Sequence, residues 1–180
     1  ARYGAGRIGG NAIPAYVEEK GIDPGSQTET FVQTTLYIDN WRWAGVPFVL
    51  RTGKAMARDR HEIVVHFKPV PHLAFTLHSS IGANRLRIQF DPDRIHLHLN
   101  VTGADELFSL HETALERELV GQTIPAYGQV LLDIIKGDHT LSIRDDETEA
   151  SWRIVQPLLD AWAQGQSPLR EYAAGSEGPV

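Results

Sequence analysis

Apolar and polar positions alternate through most of the first two thirds of the chain, and the alternation predicts strands. Ile63, Val65 and Phe67 alternate with Glu62, His66 and Lys68. Leu86, Ile88 and Phe90 alternate with Arg85, Arg87 and Gln89, and Ile95, Leu97 and Leu99 with His96, His98 and Asn100. A period of two sends each apolar set to one face, so these are half-buried strands. Asp91-Pro92-Asp93-Arg94 between the last two reads as a hairpin turn. Upstream, the run Phe31, Val32, Thr34, Thr35, Leu36, Tyr37, Ile38 is β-branched, aromatic or aliphatic. A polar turn at Asp39–Arg42 and then Gly45-Val46-Pro47 lead from it to a second strand, Phe48 to Leu50. A further strand is expected from about Leu107 to Leu119. Residues 1–27, punctuated by Gly4, Gly6, Gly9, Gly10, Pro14, Gly21, Pro24 and Gly25, read as loop.

The last third changes period. Tyr127, Val130, Leu131, Ile134 and Ile135 recur at helical spacing behind Pro125, and Gly137 is a natural stop. Asp146 and Glu149 fit a capping box at the head of a second helix. Its apolar stripe is Trp152, Val155, Leu159 and Trp162, with Pro157 inside it as an expected bend. Trp152 and Trp162 read most simply as core anchors, and the tail from Gly165 reads as irregular. Strands first and helices last predict an α+β domain with a largely antiparallel sheet.

Composition narrows the function. The 180 residues suit one domain and include 42% hydrophobic and 22% charged residues. Net charge is −6 with no basic block, which argues against nucleic acid as a partner. With no Cys, disulfides, thiolate zinc sites and cysteine nucleophiles are excluded, and a cytoplasmic location is expected. No signal peptide and no run of 18 apolar residues is present, so no membrane partner is expected. His96 and His98 share a strand face, but no Cys or carboxylate cluster joins them in sequence, so no metal is expected. With His66 they read as a wet or intersubunit surface.

Two segments carry candidate chemistry. Gly4-Ala5-Gly6-Arg7-Ile8-Gly9 matches G-x-G-x-x-G. That fingerprint works only between a strand and a helix whose N-terminus holds the pyrophosphate. Here three residues precede it, and Gly10, Asn11 and Pro14 oppose a following helix. No dinucleotide site is expected there. The second segment runs from Asp39 to Lys54 and ends as a strand with a cation-bearing glycine loop. Arg51 and Lys54 flank Gly53, so that two cations, one a planar fork and one a point charge, can meet an anion. From spacing alone, a solvated basic loop is the simpler reading.

Asp39-Asn40-Trp41-Arg42-Trp43-Ala44-Gly45-Val46-Pro47-Phe48-Val49-Leu50-Arg51-Thr52-Gly53-Lys54 resembles the D/E-N-x-R-W-x-G-V-P-F-x-L-R-T/S-G-K region of glucose-6-phosphate dehydrogenases. Further likeness lies in Ala15-Tyr16-Val17-Glu18-Glu19, Glu62-Ile63-Val64, Phe67-Lys68-Pro69 and Arg87-Ile88-Gln89. It extends to Trp152-Arg153-Ile154-Val155 with Pro157, and to Tyr172 with Gly175-Ser176 and Gly178-Pro179.

The resemblance implies the C-terminal, substrate-binding and assembly domain of such an enzyme: a large mixed sheet with helices on one face. The opening at Ala1 without Met fits a fragment. By resemblance, the N-terminal Rossmann domain holds NADP and the catalytic base and lies outside this chain. The chain then has no catalytic or cofactor-binding residue of its own. By resemblance Lys54 binds glucose 6-phosphate and Gln89 lines the same site, with Arg51 as a further candidate. The family's second cation falls at Asp59, where flanking Arg58 or Arg60 is a candidate replacement. Ala126-Tyr127-Gly128 departs from the family's A-Y-E. Glu177 stands where eukaryotic members place an Arg that binds a structural NADP, so none is expected here. Self-association as a homodimer or homotetramer is implied. A non-catalytic oligomerisation module or a diverged paralogue is the alternative.

Overall fold

The structure is a computed structural model that describes residues 1–70, 82–102, 110–120, 124–140 and 142–179. The chain forms two units, Ala1–Asp59 with Ser142–Val180, and Arg60–Leu141.

The first unit opens with three strands of three residues each, β1 (Arg2–Gly4), β2 (Gly6–Ile8) and β3 (Asn11–Ile13), followed by a 3-10 turn at Tyr16–Glu18. The expectation of a loop over residues 1–27 is thereby corrected. Strands this short show no period, and β1 pairs with a strand 169 residues away, so nothing local announces them. Gly9 and Gly10, both at positive φ, make the turn that folds β2 back on β3. Next come β4 (Phe31–Leu36) and β5 (Phe48–Gly53), an antiparallel pair in which Phe31 faces Gly53 and Gln33 faces Arg51. At the turn between them the Asn40 side chain accepts from the N–H groups of Arg42 and Trp43 at 3.1 and 2.9 Å.

The second unit holds a four-stranded antiparallel sheet, β6 (His61–His66), β7 (Arg85–Phe90), β8 (Arg94–Thr102) and β9 (Leu110–Glu118), in that order. The expected start of β9 near Leu107 lies outside the described residues. The register puts the expected alternation on two faces. Ile63, Ile88, Ile95 and Arg117 share one row, while Glu62, Gln89, Arg94 and Glu118 share a row on the other. α1 (Ala126–Lys136) follows Pro125 and stops at Gly137 in the left-handed conformation, φ 70°.

α2 (Asp145–Ala163) returns to the first unit and runs continuously through Pro157. Its cap is Arg144, whose N–H donates to Glu147 at 3.0 Å. Asp146 and Glu149 therefore do not form the cap, because the helix begins two residues earlier than the acidic spacing suggests. Trp152 is 60% exposed, so it is not a core anchor, whereas Leu159 and Trp162 are half-buried and line a cavity with Phe31, Leu169 and Pro179. The tail is not wholly irregular: β10 (Glu171–Ala173) pairs in parallel with β1, setting Tyr172 against Tyr3. The core of this unit is Tyr3, Phe31, Tyr172 and Ala174, ringed by Ile13, Tyr16, Ala55 and Met56. Its rings meet edge to face, Phe31–Tyr172 at 5.6 Å and Tyr3–Tyr172 at 6.3 Å. The α+β class and the antiparallel sheet are as the sequence predicts.

Candidate functional site

Lys54 stands one residue beyond β5, and its main chain is held from both sides. Its N–H donates to the Thr30 carbonyl at 2.8 Å, adding one rung past the end of the ladder. Its carbonyl accepts from the Tyr172 hydroxyl at 2.7 Å. The side chain is left exposed. The residues that follow are pinned as well: Ala55 lies at φ 50° and accepts from the Gly175 N–H at 2.8 Å, and the Ala57 N–H donates to Ser176 at 2.8 Å. An exposed ammonium on a fixed main chain suits anion capture, because little loop entropy remains to be lost on binding.

Tyr172 ties this turn to the core. Its hydroxyl lies 3.1 Å from Thr30 Oγ1, and Thr30 Oγ1 in turn accepts from the Tyr3 N–H at 2.9 Å. Burial pushes the Tyr172 hydroxyl above its ordinary range, so it remains a donor at neutral pH. Tyr3 is raised further, first by burial and then by its hydrogen bond to Glu19.

Arg51 and Arg58 are both drawn to Glu177 rather than to Lys54. The Arg51 guanidinium donates to the Glu177 carbonyl and lies 5.3 Å from the centre of the Phe31 ring. Arg58 Nε is 4.0 Å from the Glu177 carboxylate. Glu177 thus gathers the two arginines that the sequence marks as candidates.

Gln89 belongs to the second unit. It is half-buried on β7 between Glu62 and Arg94 in the register. That face is dense in charge: Arg87 meets Glu62 at 3.4 Å, Arg85 meets Glu112 at 2.9 Å, and Arg94 meets Glu116 at 3.7 Å. His96 and His98 stack on the same face, 6.5 Å apart, and His98 is 3.2 Å from Glu112. Among the described residues no group of three His, Asp or Glu side chains is placed to hold a metal, and no helix is long and apolar enough to cross a membrane.

The G-x-G-x-x-G segment forms the β2–β3 hairpin with its approach from β1, not a strand-to-helix turn. Its glycines answer to packing. A Cβ on Gly6 would lie 2.0 Å from the Ala174 carbonyl oxygen, while Gly9 and Gly10 serve the turn.

Tyr172 and Thr30 escaped the reading of the sequence as site residues. Tyr172 lay within a segment of family likeness, but nothing in the sequence joins it to Lys54, 118 residues away.

The whole chain, residues 1–180, matches the family described as glucose-6-phosphate dehydrogenase, C-terminal domain. It is 42% identical over 187 residues to the glucose-6-phosphate 1-dehydrogenase of Treponema pallidum, an alignment covering 99% of this chain and 36% of that protein. The crystal structure of glucose-6-phosphate 1-dehydrogenase from Mycobacterium avium superposes with a TM-score of 0.76 at 33% identity, covering 98% of this chain and 36% of that one. A glucose-6-phosphate dehydrogenase in complex with its substrate glucose-6-phosphate gives 0.80 at 30% identity, covering 99% of this chain and 37% of that one. The chain therefore spans little more than a third of the length of these relatives. The family match runs from its first residue to its last, and the chain belongs to the glucose-6-phosphate dehydrogenase C-terminal domain family.

Proposed function

We propose that this chain is the substrate-binding and assembly domain of a glucose-6-phosphate dehydrogenase, with Lys54 as its main contact to glucose 6-phosphate. The observation that carries the reading is the exposed Lys54 side chain on a main chain fixed by Thr30 and Tyr172. A solved relative is described as a complex with glucose-6-phosphate, which supports the substrate. Gln89 is proposed as a further substrate-binding residue. Arg51 and Arg58 are further cations in the proposal, of smaller weight because each is already engaged by Glu177.

In this reading the parent enzyme moves a hydride from C1 of glucose 6-phosphate to NADP, as a base takes the C1 hydroxyl proton, giving 6-phosphogluconolactone for the pentose phosphate pathway. The Rossmann domain that precedes this one supplies the NADP site and the base. The isolated chain, a single domain of that enzyme, is then inactive: incubated with glucose 6-phosphate and NADP it gives no NADPH. Its proposed partners are glucose 6-phosphate and further copies of itself, as a homodimer or homotetramer. Neither nucleic acid, membrane nor metal has a part, and the setting is cytoplasmic.

The test is Lys54→Ala in the full-length enzyme that carries this chain. A charged hydrogen bond is worth about 1.5–3 kcal/mol, so KM for glucose 6-phosphate should rise about 10- to 150-fold while KM for coenzyme stays. An unchanged KM for glucose 6-phosphate in folded Lys54→Ala enzyme overturns the assignment.

A further inference from the structure

The turn that presents Lys54 is held by a side chain 118 residues further along the chain. Tyr172 has one hydroxyl proton and three oxygens in range: Lys54 O at 2.7 Å, Thr30 Oγ1 at 3.1 Å and Thr30 O at 3.2 Å. The shortest contact takes the proton. Thr30 Oγ1 already accepts from the Tyr3 N–H at 2.9 Å, which leaves its own proton free to point at the Tyr172 oxygen. The bonds therefore run in one direction, from the Tyr3 N–H through Thr30 Oγ1–H and Tyr172 O–H to the Lys54 carbonyl. Bonds in such a chain polarise one another in a buried setting. Tyr172 is 5% exposed and its ring is wedged between Phe31 and Tyr3, so the hydroxyl has little freedom to turn elsewhere.

We propose that Tyr172 is a positioning residue for the substrate lysine: its hydroxyl fixes the Lys54 carbonyl and so sets the direction in which the Lys54 side chain leaves the turn after Gly53. The inference rests on the reading of Lys54 as the substrate contact. A purely structural Tyr172 would serve the core through its ring alone, and phenylalanine preserves that ring. The two roles therefore separate in Tyr172→Phe.

The experiment compares Tyr172→Phe, Lys54→Ala, the double variant and Tyr3→Phe in the full-length enzyme, reading KM for each substrate and the urea midpoint. Tyr3→Phe is the control, since it removes the hydroxyl bonded to Glu19 from the same core and keeps the Tyr3 N–H that feeds Thr30. Tyr172→Phe should raise KM for glucose 6-phosphate about 3- to 10-fold, the span of one neutral hydrogen bond, with KM for coenzyme unmoved. Tyr3→Phe should lower the midpoint and leave both KM values in place. The double variant should have the KM of Lys54→Ala, because Tyr172 acts through that side chain.

Three results overturn the proposal while sparing the assignment of Lys54: Lys54→Ala raises KM but Tyr172→Phe does not, the two effects multiply in the double variant, or Tyr3→Phe raises KM as much as Tyr172→Phe. If Lys54→Ala itself leaves KM unmoved, the substrate reading fails and the role of Tyr172 fails with it.

Discussion

Phe31 and Gly53 face each other across the β4–β5 ladder so closely that a Cβ on Gly53 would lie 2.7 Å from Phe31 Cδ2. The same atom would meet Met56 Sδ at 2.9 Å. Glycine is demanded here by packing, one residue before the proposed substrate lysine. Met56 is flexible and can give way, but the Phe31 ring is fixed in the core. Gly53→Ala should therefore destabilise the enzyme by about 1–3 kcal/mol through overpacking. It should also raise KM for glucose 6-phosphate, since the turn bearing Lys54 must shift. A urea midpoint and KM both equal to the parent's would remove the packing demand for glycine at position 53.

The hairpin glycines give a graded prediction. Gly6→Ala drives a Cβ to 2.0 Å from the main-chain oxygen of Ala174, so β2 and the Ala174 main chain, joined by the Arg7 N–H, must move apart, at about 3 kcal/mol or more. Gly9→Ala meets nothing within 4 Å and suffers only from its φ of 55°, a cost of about 1–2 kcal/mol. Unfolding midpoints should fall in that order. NADP titrated against the chain should show no saturable binding at this hairpin, because no helix N-terminus is there to receive the pyrophosphate. Equal midpoints for the two variants would remove the packing account of Gly6.

Alkali should find the buried tyrosines. Tyr3 is raised above its ordinary 10.0, by burial first and by Glu19 next, and Tyr172 is raised by burial. Each proton is held more tightly in the folded chain than in the unfolded one. Their stabilisation is therefore complete below about pH 10, and it declines as pH climbs above that value toward the folded pKa. Midpoints measured between about pH 8 and pH 11 should drop at the alkaline end, and Tyr3→Phe should flatten the drop. A parent and a Tyr3→Phe variant with parallel alkaline declines would exclude Tyr3 as a source.

How much the sequence shows depends on how far apart the interacting residues lie. β6 to β8 were legible because alternation holds over six residues or more and Asp91–Asp93 supplies the turn. α1 was legible at both ends, since Pro125 and Gly137 act on their own neighbours. β1, β2, β3 and β10 were not, because three residues carry no period and β1 finds its partner at the far end of the chain. The head of α2 was misplaced because its cap is made by the Arg144 main chain and Glu147, and Arg144 is no capping residue by type. Lys54 stood out through Gly53 and the likeness around it. Tyr172 did not, since a hydroxyl bonded to a remote main-chain oxygen leaves no mark on spacing.

Arg51 offers the sharpest contrast with Lys54, three residues away. Both are exposed cations at the end of one strand, and from spacing they look alike. In the fold Arg51 donates to the Glu177 carbonyl and lies over the Phe31 ring, while a Cβ on Gly178, at φ 101°, would approach its guanidinium to 3.1 Å. Arg51 thus clamps the segment around Gly178 onto the β4–β5 pair. A cation over a ring at an exposed site contributes about 0.5–1 kcal/mol, and a charged hydrogen bond adds to it, reduced by solvent. Arg51→Ala should lower stability by about 1–2 kcal/mol and raise KM for glucose 6-phosphate far less than Lys54→Ala does. Arg51→Lys should recover little, because an ammonium cannot both stack on Phe31 and reach the carbonyl as a planar fork does. If Arg51→Ala instead leaves the urea midpoint unchanged and raises KM as much as Lys54→Ala, the guanidinium binds substrate, and its hold on Glu177 is incidental.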